Sequence, residues 1–188
     1  GPGASMPGHA ATCTVALSHA HFDHVLGTAA LPAGEVLAHP SCAGELAGLG
    51  HQRRRWEAHY RQIGERAQAE RLASARFVAP TRTVTHEVLD LGGRRVTLAH
   101  RGLGHTRGDL LLHVPDADVV FAGDLVEQGA EPQVGPDAVL ADWPATLDAL
   151  LAWYPQTVVP GHGEPVNTDF VRAQRDSLAA AYRARPTP

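Results

Sequence analysis

The chain has 188 residues, of which 44% are hydrophobic and 19% charged. That balance argues against a disordered chain and fits one domain, with no repeat or linker to divide it. A net charge of -4 gives no electrostatic reason to expect a nucleic acid or an anionic membrane as partner.

Apolar runs such as 118–125 are far too short to span a bilayer, and no secretory leader is visible. Two cysteines, Cys13 and Cys42, cannot build a disulfide framework, so a reducing, cytoplasmic setting is expected. Residues 1–5 precede Met6 and read as a cleavage remnant, which leaves 6–188 as a single domain. The unusual number is twelve histidines.

Along the chain, 13–17 reads as a short apolar strand, followed by a polar run at 18–24 and a short helix through Leu31. A second strand is expected over 35–39, and Pro40 opens a small-residue helix near 42–49. The spacing predicts one helix over 51–75, with Trp56, Tyr60, Ile63 and Ala67 on its apolar stripe. Strands at 87–91 and 95–100 flank Gly92-Gly93, a two-residue hairpin signal. A second hairpin joins 109–114 to 118–122 around Pro115-Asp116. Asp142 is expected to cap a helix that turns Leu147, Leu150, Leu151 and Tyr154 inward until Pro155 stops it. A last strand at 156–159 precedes a helix from Thr168 with the stripe Phe170, Gln174, Leu178 and Tyr182. Strands and helices are interspersed, so sheets covered by helices are expected.

The strongest local signal is His19-Ala-His21-Phe-Asp23-His24 directly after the first strand. Imidazole and carboxylate on an irregular turn are the donor types that suit Zn²⁺. Three further candidates follow strands: His105 in Gly104-His105-Thr106, Asp124 in Gly123-Asp124, and His162 in Gly161-His162-Gly163. Each has a glycine beside it, which permits a tight turn and close backbone approach.

This ordered set, HxHxDH then His, Asp and His, resembles the metallo-β-lactamase superfamily, and within it the glyoxalase II-like hydrolases, from about Thr14 to Pro165. The resemblance implies an α+β fold, a four-layer αββα sandwich with two metal ions at one edge of the sheets. His19, His21 and His105 would hold the first ion. Asp23, His24 and His162 would hold the second, and Asp124 would bridge them. Zinc is the expected metal, with iron or manganese as alternatives. A hydroxide shared by the ions would attack a small ester, thioester or lactone, with Asp23 as a catalytic carboxylate accepting a hydrogen bond from it. An aspartate at position 124 is similar to the thioesterase, lactonase and phosphodiesterase branches rather than to β-lactamases with cysteine or serine there. Two rival readings are an iron-dependent persulfide dioxygenase of the same fold and a shortened chain with little activity.

The family places several strands before the HxHxDH motif, whereas 6–18 alone precede it here. The first sheet is therefore expected to be incomplete, with an edge that a second copy of the chain could pair in a homodimer. The only other partner expected is a small-molecule substrate. His9, His39, His51, His59, His86, His100 and His113 read as surface or satisfied core residues. Cys13 and Cys42 read as small buried hydrophobes, Trp143 and Trp153 as core, and Arg53-Arg54-Arg55 as a solvated face. Asp109 is open between supporting the site and capping its own turn.

Overall fold

The computed structural model describes residues 13–185, so the remnant expected at 1–5 and His9 lie outside the described residues. Two sheets carry the architecture. In the first, β1 (Cys13–Ala16), β2 (Ala33–Ala38) and β3 (Arg82–Thr83) run parallel in chain order. The second holds β4 (His86–Asp90), β5 (Arg95–Ala99), β6 (Leu111–Val114), β7 (Val119–Glu127) and β8 (Thr157–His162). Its pairs are antiparallel except for β7 and β8, which run parallel.

The two-residue period of a strand explains the layers. In β2, Val36 and Ala38 join a cluster with Val25, Cys42, Leu49 and Leu72, while Leu37 between them packs with Leu98 and Leu110. In β6, Leu111 faces Trp143, Leu147 and Val171, while Leu112 packs against the inter-sheet cluster. Helices α1 (Phe22–Val25), α2 (Pro40–Glu45), α3 (Leu49–Gln62) and α4 (Arg66–Ser74) therefore cover the first sheet. Helices α5 (Trp143–Leu151) and α6 (Thr168–Arg183) cover the second. This is the expected α+β fold in αββα order, with a smaller first sheet. Among the described residues no strand pairs with the outer edge of β1. Beneath that edge, Phe121 of β7 is 46% exposed, beside an apolar cavity of about 200 Å³ between the sheets.

Several local expectations are corrected. The helix expected over 51–75 is two helices, because Gly64 adopts φ +87° between them and reverses the chain. Its stripe does not form a core: α3 buries only Leu49, and α4 buries Ala69 and Leu72. Trp56 instead stacks at the surface on Phe22, with ring centroids 5.3 Å apart. Strand β7 runs five residues past the expected end at Ala122, since its parallel partner β8 carries the pairing onward to Glu127 and His162. The two-residue β3 had no period to reveal it. Asp142 precedes α5 but its side chain makes no cap bond. Tyr154 is 83% exposed, because the chain leaves the helix with φ +52° there and turns the ring outward. Cys42 is buried, and burial pushes its thiol up to about 12, but Cys13 is exposed on edge strand β1. Trp143 is core, and His113 stacks on Trp153 at 4.8 Å, as a structural histidine would.

Candidate metal centre

All seven residues singled out in the sequence meet at the end of the two sheets where β1, β5 and β8 terminate. The turn after β1 is pinned from both sides. Leu17 N–H donates to the Leu37 carbonyl at 2.9 Å, and the Ser18 carbonyl accepts from Leu110 N–H at 2.7 Å. His21 then stands at the N-cap of α1, whose first turn presents Asp23 and His24.

The residues form two groups around one carboxylate. His19, His21, His105 and Asp124 have one donor atom each, all within 4.8 Å of one another, and so do Asp23, His24 and His162. Asp124 Oδ2 lies 3.7 Å from His19 Nε2, 3.5 Å from His105 Nε2 and 3.6 Å from His162 Nε2. Its Oδ1 lies 3.1 Å from His24 Nε2 but, like the buried His19 Nε2, makes no aligned hydrogen bond. In the second group His162 Nε2 is 3.2 Å from Asp23 Oδ2 and 3.3 Å from His24 Nε2. Asp124 is thus the residue that both groups share. Close approach is needed to achieve this: a Cβ on Gly161, beside His162, would overlap Asp124 Oδ1.

The outer ring nitrogens decide which atoms face inward. His21 Nε2 hydrogen-bonds Asp137 Oδ2 at 2.8 Å, and His105 Nδ1 hydrogen-bonds the Gln133 carbonyl at 3.2 Å. Each of those nitrogens must carry the proton, because carboxylate and carbonyl oxygens only accept. When both rings are neutral, two lone pairs, His21 Nδ1 and His105 Nε2, face each other at 2.9 Å; against the opposing pull of burial, the Asp137 carboxylate raises the pKa of His21. Two acceptors at that distance repel unless a cation or a proton lies between them. Burial also holds His19 well below the usual imidazole range and brings His105 down to about 4, so both rings stay neutral, as metal ligation requires. The donor set therefore fits a metal ion.

The residues that orient these histidines were not visible in the sequence. Asp137 and Gln133 sit on the long connection from β7 to α5, at 128–142, which crosses the site and is tied to it by Val139 N–H donating to the Gly104 carbonyl at 2.8 Å. Ser18 Oγ lies 3.1 Å from His19 Nδ1. Such outer partners fix ring orientation and raise ligand basicity. Asp137→Ala is expected to weaken binding of the first ion by about 10–100-fold, read by zinc titration against a competing chelator. An unchanged affinity would leave Asp137 as a surface contact.

Asp109 settles between its two readings: it braces the turn that follows His105 and touches no ligand ring. Its Oδ2 accepts from Thr106 N–H at 2.9 Å and its Oδ1 from Thr106 Oγ1 at 2.6 Å. Burial raises its pKa to about 6, against the opposing pull of the Thr106 bonds. A raised carboxylate pKa means that the folded chain binds the proton more tightly than the unfolded chain. Between the unfolded value, about 3.9, and about 6, this group therefore makes stability fall as pH rises. Denaturant titrations across that window are expected to show that slope, and Asp109→Asn to flatten it.

Compared with known proteins, residues 13–162 match the family model described as Metallo-beta-lactamase superfamily. Acyl-coenzyme A thioesterase MBLAC2 of Homo sapiens is 30% identical over 156 residues, covering 77% of this chain and 54% of that protein. Metallo-beta-lactamase type 2 of Bacillus sp. (strain 170) is 26% identical over 155 residues, covering 80% and 51%. The chain thus spans about half the length of these relatives. Among solved structures, a metallo-beta-lactamase from Pontibacter korlensis superposes with TM-score 0.64 at 20% identity, covering 88% of this chain and 69% of that one.

Proposed function

The chain belongs to the metallo-beta-lactamase superfamily, and we propose that it is a metal-dependent hydrolase that cleaves thioesters, with acyl-coenzyme A as the substrate class. The observation that carries the metal is the convergence of donor atoms from His19, His21, His105 and Asp124 within 4.8 Å of one another, with His21 and His105 oriented by Asp137 and Gln133. The substrate class rests on the thioesterase relative at 30% identity and on an aspartate at position 124. It is the thioester member of the glyoxalase II-like chemistry expected from the motif.

In this reading His19, His21 and His105 would hold one zinc ion and Asp23, His24 and His162 a second, with Asp124 within reach of both groups. Bound ions would supply hydroxide at neutral pH and polarise the acyl carbonyl. The chain's own residues do the rest. Asp23 and His162 form the solvent side of the site, their side chains 36% and 50% exposed, so substrate enters there. Asp23 Oδ2, within reach of His162 and open to solvent, accepts a hydrogen bond from the attacking water and orients it. His19, His105 and Asp124 form the buried floor, excluding water from the other side. Water adds to the carbonyl carbon, the C–S bond breaks, and the products are a carboxylic acid and a free thiol.

The test is thiol release from a panel of acyl-coenzyme A esters by zinc-loaded chain, with lactones and a β-lactam as comparison. Thiol release well above that of His105→Ala supports the reading. Rates equal to that variant on every thioester, with zinc bound, would overturn it. Metal analysis that returns a single iron per chain would favour the dioxygenase alternative instead.

As partner, a second copy of the chain pairing at the outer edge of β1 remains our proposal, since exposed strand edges recruit strands. Sedimentation equilibrium is expected to show a dimer, and a monomer at micromolar concentration would overturn this. A reducing compartment is the location proposed, consistent with exposed Cys13 and free Cys42.

A further inference from the structure

One buried carboxylate at the site has no role in the reading above. Glu127 ends β7, opposite His162 in the β7–β8 register, and is 4% exposed. Its Oε2 accepts the Gln133 N–H at 2.5 Å, the same residue whose carbonyl holds His105. No arginine neutralises it: the nearest basic group is His162, whose Nε2 pairs with Asp23 and Asp124. One carboxylate oxygen of Glu127 nevertheless lies within 4.8 Å of ligand atoms of both Asp124 and His162.

Two buried carboxylates side by side are costly unless a cation offsets them. Asp124 is 5% exposed, and its Oδ1, 3.1 Å from His24 Nε2, makes no aligned hydrogen bond, so a buried oxygen is left for a cation. The geometry therefore leaves a place for a cation between Asp124, Glu127 and His162, on the inner side of the second group.

We propose that Glu127, through the His162 and Asp124 atoms it lies beside, is an additional ligand of the second metal position, and that it makes the two positions chemically unequal. The first position is lined by three imidazoles and a shared carboxylate. The second then has Asp23, Asp124 and Glu127 beside His24 and His162. Carboxylate oxygen suits harder ions such as Mn²⁺, whereas imidazole suits zinc. The second position should accordingly take Mn²⁺ while the first keeps Zn²⁺.

This inference rests on the metal centre proposed above but not on its substrate, so its test reads metal alone. Chain loaded with one equivalent of zinc is titrated with Mn²⁺, and bound manganese is counted by electron paramagnetic resonance. The wild type is expected to bind one Mn²⁺. In Glu127→Gln, which keeps shape and loses charge, that affinity should fall at least tenfold while the bound zinc is retained. Melting of the metal-free variant by circular dichroism checks its fold. If that variant does not fold, Glu127→Asp keeps the charge but withdraws the oxygen, and it should weaken Mn²⁺ in the same direction. Manganese affinity equal to wild type in the folded variant, or no manganese bound by the zinc-loaded wild type, overturns the proposal. A chain that passes this test yet releases no thiol would refute the thioesterase reading and leave Glu127 as a ligand.

Discussion

Asp124→Asn is expected to leave a folded chain that retains at most one metal ion and loses hydrolysis by on the order of a thousandfold or more. Asparagine is nearly isosteric, so the buried space on β7 stays filled, and the variant separates charge from shape. The charge matters because Asp124 lies within 3.1–3.7 Å of a ring nitrogen from each of His19, His24, His105 and His162. Among the described residues no other carboxylate lies within reach of both ligand groups. Without it, two dications would be held among imidazoles with only the half-exposed Asp23 and buried Glu127 to offset their repulsion, and the second ion should be released. Metal polarisation is worth several kcal/mol of transition-state stabilisation. At about 1.36 kcal/mol per decade, its loss gives the thousandfold figure. Stability supplies an independent reading. An ion at about a thousand times its Kd stabilises the folded chain by about 4 kcal/mol, so the metal-dependent rise in melting temperature should shrink in the variant. Metal analysis, thermal melting with and without zinc, and thiol release together check the prediction. Two ions retained with normal turnover would remove Asp124 from the shared position.

The parts of this centre that were legible in the sequence are those where chemistry is local. His19, His21, Asp23 and His24 fall on one turn, and their spacing alone shows that they share a site. His105, Asp124 and His162 stand out because each comes after an apolar run and has a glycine beside it, although Asp124 lies within β7 and His162 closes β8; at Gly161 the reason is now plain, since a side chain would collide with Asp124. What escaped depends on contacts far apart in the chain. Asp137 reaches His21 across 116 positions, in a Gly-Pro-Asp turn that composition marks only as a loop. Gln133 acts through its backbone, which leaves no side-chain signature at all. Glu127 was hidden because Gly123 and Asp124 interrupt the apolar alternation, so the strand appeared to stop at Ala122. Only its parallel partner β8 carries it further. The stripe on α3 failed for a related reason. Periodicity reports that one face is less polar, but whether another layer covers it is decided by the chain reversal at Gly64.

Trp143→Ala is expected to be the most destabilising single substitution in the chain, by about 3–5 kcal/mol, and the cause is volume rather than hydrogen bonding. Trp143 is the largest fully buried side chain and opens α5, packed among Leu125, Leu140, Leu147 and Val171 between the second sheet and its helices. Its Nε1–H donates to the Leu125 carbonyl at 3.1 Å. That carbonyl also accepts from Gln174 Nε2 at 2.8 Å, so removing the indole leaves no unpaired buried acceptor, and the usual penalty for one does not arise. What remains is the lost transfer energy and a cavity that rigid neighbours close only in part. Trp143→Phe separates the two terms. It keeps most of the volume and loses the donor, so it should cost about 1–2 kcal/mol, within the range for a net hydrogen bond and a small void. The cavity would also open beside the metal centre, because the His105 ring stands edge-on to Trp143 at 5.6 Å. His105 keeps its bond to the Gln133 carbonyl, so its tautomer survives while its position loosens. Guanidinium titration with a constant m value is the measurement. If alanine cost no more than phenylalanine, the indole would not be filling this core, and the wall behind His105 would have to be supplied by Leu125 and the β7–β8 backbone instead.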